Sequence, residues 1–149
     1  MKRPIRATFL AGLAIATLVA ATSPDSAVIV NSGSTNTYGY SIQVSSDGKA
    51  TVTRQNRGIA SSTAKPFTVS AETTARFFSD LAAARKGNAV TVPCMKSASF
   101  GTSEHIKWQG WVSPDLTCPP KDSLGEALVK DVDEIRQAAG VSANAIIQR

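Results

Sequence analysis

Histidine occurs once in this chain, at His105, and cysteine only twice, at Cys94 and Cys118. That scarcity narrows the chemistry on offer. Structural zinc sites are built from close pairs such as Cys-x2–4-Cys, which fix two ligands on one turn. Here Cys94, His105 and Cys118 are separated by 10 and 12 residues, and no close pair exists. No run of alternating carboxylates has the pattern of a calcium loop. Gly48-Lys49 is followed by Ala50 and lacks the upstream glycine of a phosphate-binding loop. No metal and no cofactor is expected.

A second histidine is also missing, so every nucleophilic scheme must use His105. In "GTSEH" (101–105), Gly101 and Ser103 stand where a G-x-S-x-G elbow has its first glycine and serine. His105 replaces the last glycine, which that sharp turn requires, and "IKWQGW" replaces the helix that should follow. A Cys94–His105 pair would need a free thiol of lowered pKa and an orienting partner, and neither is visible. The expectation is that no residue here is catalytic. The alternative is a small secreted enzyme whose site the residues do not reveal.

Long apolar runs are lacking too, with one short exception. "MKRPIRATFLAGLAIATLVAATSPDSA" opens on Lys2, Arg3 and Arg6, then runs uncharged from Ala7 to Ala21. At about 1.5 Å per residue such a helix spans roughly 22 Å, short of the ~30 Å hydrocarbon core. Val19 and Ala21 supply small residues at positions −3 and −1 of a cleavage site. This is the layout of a secretory signal peptide, predicted to be cut after Ala21. No cysteine lies nearby to carry a lipid. The domain plan is therefore a signal peptide over 1–21, a disordered leader over 22–26, and one domain over 27–149. The mature protein is expected in the periplasm or outside the cell, with no membrane attachment after cleavage.

Clustered positive charge is absent as well. The chain holds 16 basic and 11 acidic residues. Three of the basic residues fall in the signal, so thirteen face eleven in the mature chain, a net charge of +2. The sequence pI of about 9.5 is therefore no nucleic-acid footprint, and no nucleic acid is expected as a partner.

What the sequence does contain is periodicity. "AVIVN" (27–31) is a β-branched run closed by the turn-rich "SGSTNT". "YGYSIQVS" (38–45) alternates, with Tyr38, Tyr40, Ile42 and Val44 on one face, the mark of a half-buried strand. "KATVTR" (49–54) follows "SDG". A three-residue loop Ser46-Asp47-Gly48 pairs Val44 with Ala50 and Ile42 with Val52, keeping the apolar residues on one face. A two-residue loop would mix the faces. "KPFTV" reads as a short extended piece. Ser70 caps a helix with Glu72 in its first turn and Thr74, Phe77, Phe78 and Leu81 along its stripe, and Gly87 stops it. "AVTV" (89–92), "SASF" (97–100) and "EHIKW" (104–108) read as strands. Ser123 with Glu126 has the spacing of a capping box. Leu124, Leu128, Val132 and Ile135 then share one helical face, and Gly140 ends the helix. The order predicts an α+β domain: an antiparallel sheet with two helices packed on one face.

A signal peptide, a strand ending in Asp47-Gly48, a capped helix and a late cysteine loop together resemble the small uncharacterised secreted bacterial domains of unknown function. The likeness covers roughly Tyr38 to Ala138. The strand and helix order is also distantly similar to modules of β-lactamase-inhibitor-like proteins. Neither likeness implies a role for any particular residue.

Two cysteines in an exported chain make one pair, so a Cys94–Cys118 disulfide is predicted, stiffened by Pro93, Pro119 and Pro120. Alternation in "EHIKW" sends Ile106 and Trp108 inward and His105 and Lys107 outward. Trp111, after Gly110 in a turn, and the neighbouring Gln109 are the candidate contacts for a partner or ligand. The expected function is a secreted, non-catalytic domain binding a protein or an envelope component.

Overall fold

The computed structural model describes residues 23–56, 59–60, 62–87, 90–97 and 101–142. The expected signal peptide lies outside the described residues. Alternation dominates the first half of the chain. Strands β1 (Ser26–Asn31), β2 (Gly39–Ser45) and β3 (Lys49–Asn56) form a meander, with β4 (Ile59–Ala60) and β5 (Lys65–Thr68) both pairing along β3. The β2–β3 register is Val44 opposite Ala50 and Ile42 opposite Val52. Gly48 sits at φ +83, so the three-residue loop and its left-handed glycine are as the alternation requires.

Helix α1 (Ala71–Lys86) follows, then β6 (Glu104–Trp108), β7 (Trp111–Val112) and helix α2 (Ser123–Ala138). The sheet order is β4-β3-β2-β1-β6-β7, with every pair antiparallel. Thus β6 returns to lie beside the first strand, with Ile29 opposite Ile106. One face of the sheet carries Ala27, Ile29, Tyr40, Ile42, Val44, Ala50, Val52, Ile106 and Trp108. These pack against Phe77, Leu81 and Ala84 of α1 and Leu128, Val132 and Ile135 of α2 to make one core. Among the described residues, the other face bears no helix. The chain is an α+β domain with both helices on one face and one disulfide.

Several local expectations are corrected. The helix α2 cap is Asp122, whose side chain accepts from Gly125 N at 2.9 Å, and Ser123 is the first helical residue. Gly87 closes α1 as expected, in an extended conformation at φ −96. Strand β2 begins at Gly39, leaving Tyr38 just outside it. Of "AVTV", Val90 to Val92 form only a bridge, Thr91 to Pro120. Val92 N donates to Pro119 O and Lys121 N to Val90 O, each at 2.9 Å. Pro119 and Pro120 have no N–H to give, so the ladder cannot lengthen into a strand. Ser97 of "SASF" is outside any strand, and residues 98–100 lie outside the described residues.

The fold also begins earlier than the expected leader allows. Ser26 opens β1. Asp25 accepts from Ser46 N through its carbonyl at 2.7 Å.

Candidate functional site

The Gln109-Gly110 turn joining β6 to β7 is held by tight local constraints. Both turn residues have positive φ, 46 for Gln109 and 77 for Gly110, the two-residue geometry that matches sheet twist. A glutamine in that conformation is uncommon, and here both ends of its side chain are used. Its Nε2 donates to Asp25 Oδ2 at 2.9 Å, and its Oε1 accepts from Arg85 Nη1. The Trp108 indole N–H donates to the same Asp25 oxygen at 2.8 Å. Arg85, in the last turn of α1, lies over the Trp108 ring at 5.7 Å, and Phe78 meets that ring edge-on at 6.3 Å. Trp108 is therefore core, as alternation predicts.

Trp111 is the cross-strand partner of Trp108 and so shares its face. It is half-buried, packed against the core, and next to Val112, which is 53% exposed. Gln109 is exposed and engaged with Asp25 and Arg85. The hairpin thus brings Trp111 and Gln109 to the same corner of the sheet.

At the opposite end of β6 the alternation carries an unexpected passenger. Glu104 follows Ile106 and Trp108 onto the core face and is 3% exposed. It accepts from Tyr40 Oη through Oε1, and Arg136 Nη1 lies 3.4 Å from Oε2. Arg136 also pairs with Asp133. Burial raises the Glu104 pKa, against the Tyr40 hydrogen bond and the Arg136 charge. Burial, and then Glu104 itself, push the Tyr40 phenol above its ordinary value. A second polar seam joins the helices. Arg76 on α1 binds Asp131 Oδ1 and Glu134 Oε2 on α2, and Thr73 donates to Glu134 at 2.9 Å.

The cysteine region is the third assembly. Cys94 and Cys118 are bridged, with Cα atoms 5.5 Å apart. Next to the bridge Lys96 Nζ donates to Thr102 O, Asp115 Oδ2 and Thr117 Oγ1. Asp115 Oδ1 accepts from Glu104 N at 3.1 Å and Thr117 N at 3.0 Å. Burial works against this carboxylate, yet Lys96 and the two backbone donors outweigh it and hold its pKa at about 2.

The residues weighed for catalysis are not assembled. Ser103 N donates to Ser32 Oγ at 2.9 Å, and the His105 Nδ1 position faces Ser113 O at 2.9 Å. The bonded partner of His105 is thus a carbonyl, not an orienting carboxylate. Cys94 is consumed by the bridge. A groove of about 340 Å³ is lined by Gln43, Lys49, Thr51, Pro66 and Phe67.

Asp25, Arg85, Glu104, Lys96 and Asp131 escaped the sequence reading. Two of them had a signal. The alternation that buries Ile106 also buries Glu104, and Asp131 falls inside the α2 stripe beside Leu128 and Val132. Asp25, Arg85 and Lys96 meet their side-chain partners across 19 to 84 positions and have no local mark. The chain matches no family model, no curated protein and no solved structure.

Proposed function

We propose that the chain is exported, loses residues 1–21, and acts in the periplasm or outside the cell as a non-catalytic domain that binds a protein or envelope component. One observation carries this reading. The large hydrophobic side chains left exposed among the described residues, Val92 at 49%, Met95 at 100% and Val112 at 53%, flank either the disulfide or the Trp111 corner. The charged side chains, by contrast, are largely engaged. Glu104 holds Tyr40 and Arg136, Asp131 holds Arg76, and Asp115 holds Lys96. Catalysis needs ionisable groups converging on a cleft, whereas recognition needs apolar anchors with polar neighbours. A disulfide fits an oxidising compartment, and no helix among the described residues is long and apolar enough to cross a membrane.

The test is capture from periplasmic or culture extract on the immobilised secreted protein, alongside Trp111→Ala and Gln109→Ala. A species held by the wild type and released by the Trp111 variant supports the reading. Equal recovery by all three proteins, or none, defeats it for this corner.

A further inference from the structure

The segment Val92–Ser97, "VPCMKS", is six consecutive exposed residues outside helix and strand. Its ends are not loose. Val92 N donates to Pro119 O at 2.9 Å, Ser97 O accepts from Gly101 N at 2.8 Å, and Pro93 fixes its own φ. Between these ties the anchoring alternates. Cys94 is bonded to Cys118, and Lys96 reaches Asp115, Thr117 and the Thr102 carbonyl. Residues i and i+2 of an extended chain share a side and residue i+1 takes the other. Cys94 and Lys96 are both fastened to the underlying 115–118 segment, and Met95 between them is fully exposed. Besides Val92, 49% exposed at its start, the segment presents one large apolar side chain to solvent, Met95, braced by an anchor on either side.

That is the shape an endopeptidase recognises. Such enzymes bind an extended chain and read one side chain in a specificity pocket, which in the chymotrypsin type is an apolar slot. A rigid substrate-like loop binds tightly because its bound conformation already exists. We propose that Val92–Ser97 is an inhibitory loop for a secreted serine endopeptidase with an apolar specificity pocket, which Met95 enters. A serine nucleophile suits the compartment, because a catalytic thiol is exposed to oxidation there. The proposal deepens the reading above and rests on it, since loop and protease must share an exported location.

The same anchors predict slow release. Hydrolysis of the Met95–Lys96 bond adds water's hydroxyl to the Met95 carbonyl carbon and a proton to the Lys96 nitrogen. The new carboxyl end remains tied through Cys94–Cys118, and the new amino end through Lys96 to Asp115 and Thr117. Neither end diffuses away, so the reverse step re-forms the peptide bond and expels the water.

The experiment titrates the secreted, disulfide-intact protein against chymotrypsin, subtilisin and trypsin with small chromogenic substrates. Competitive inhibition of the first two is expected with a constant below about 1 µM, a modest value for a protease–inhibitor interface. Trypsin should be inhibited about 100-fold less well, and Met95→Lys should reverse that preference. Met95→Asp should abolish inhibition without moving the denaturation midpoint, because the side chain is fully exposed. Oxidation of Met95 to the sulfoxide should weaken inhibition in the same direction. The idea is overturned by no inhibition at about 100 µM, by inhibition that survives Met95→Asp, or by rapid complete cleavage with return of protease activity. Such a failure is separable from failure of the binding reading, which is judged by capture through Trp111.

Discussion

Asp131 is a buried carboxylate with more negative neighbours than positive ones. Its side chain is 0% exposed. It faces Arg76 and Asp80 from α1, with Glu134 beside it on α2 sharing Arg76. Burial, with the Asp80 carboxylate adding and the Arg76 guanidinium opposing, pushes its pKa up to about 6. A carboxyl whose folded pKa exceeds its unfolded value of 3.8 favours the native state when protonated. Its contribution is complete below pH 3.8 and is lost as pH rises through about 6. Asp131→Asn removes that titration, so wild type should lose about 1–2 kcal/mol relative to the variant between pH 4 and pH 7. Urea melts across that range decide it, and parallel profiles would refute the assignment. Asp115 works in the opposite sense. Its pKa of about 2 gives stability that is present above pH 3.8 and lost as pH falls toward 2. The β6 side chains divide in the same residue-by-residue way. Trp108→Ala empties a buried aromatic site and breaks the Asp25 bond, costing roughly 3–5 kcal/mol. His105→Ala gives up at most one hydrogen bond to the Ser113 carbonyl, about 1 kcal/mol. If denaturant melts rank these two the other way, the strand register is wrong.

Helix α2 shows where propensity and packing part company. Gly125 lies in its first turn, and on propensity alone Gly125→Ala should stabilise by about 1 kcal/mol. A Cβ there would stand 2.0 Å from the Val90 carbonyl oxygen and 3.2 Å from Pro120 Cβ. The nearest obstacle is backbone, and it belongs to the Val90–Thr91 bridge that closes the cysteine loop. We therefore expect Gly125→Ala to destabilise by about 1–3 kcal/mol, the range for overpacking, with thermal unfolding as the measurement. A raised midpoint would mean that the loop yields easily. The sequence could not announce this contact, because it joins an α2 glycine to a carbonyl 35 positions earlier. What was legible is what local periodicity controls: the β2–β3 loop and register, the β6 alternation, the Ser70 cap and both helical stripes. Asp122 outcompetes Ser123 as cap because its carboxylate reaches Gly125 N and carries a charge that the helix N-terminus favours. The bridge at Thr91 falls short of a strand for want of proline N–H groups. At the candidate site, the disulfide and the inward Trp108 were readable. The Asp25–Trp108–Gln109–Arg85 cluster was not, since it gathers three distant segments.

At the scale of the whole molecule, the closing element is β6, which forms a hairpin with β7 on one side and docks on the other against β1, the strand farthest from it in sequence. Export as proposed leaves a chain beginning at Thr22, only three residues before Asp25 ties down the Trp108 turn. Intact mass of the secreted material should start at Thr22, and a retained Met1 would defeat cleavage. The disulfide then closes the 25-residue segment leading from α1 through β6 to α2, the two cysteines being 24 positions apart. No core residue of β1, β2, β3, α1 or α2 lies within that segment. The Ile29–Ile106 pairing, the Glu104–Tyr40–Arg136 cluster and the Val90–Lys121 bond hold it independently of the bridge. Losing the bridge should therefore weaken the fold without changing it. Free-thiol titration of the unfolded, unreduced protein should find none. The Cys94→Ser, Cys118→Ser double variant should keep the helical and sheet circular dichroism and one cooperative transition. Its unfolding free energy should fall by about 3–4 kcal/mol, the loop-closure entropy of a segment this length. Collapse of the dichroism in the double variant would instead mean that β6 cannot hold its place beside β1 unless the bridge has first drawn its loop closed.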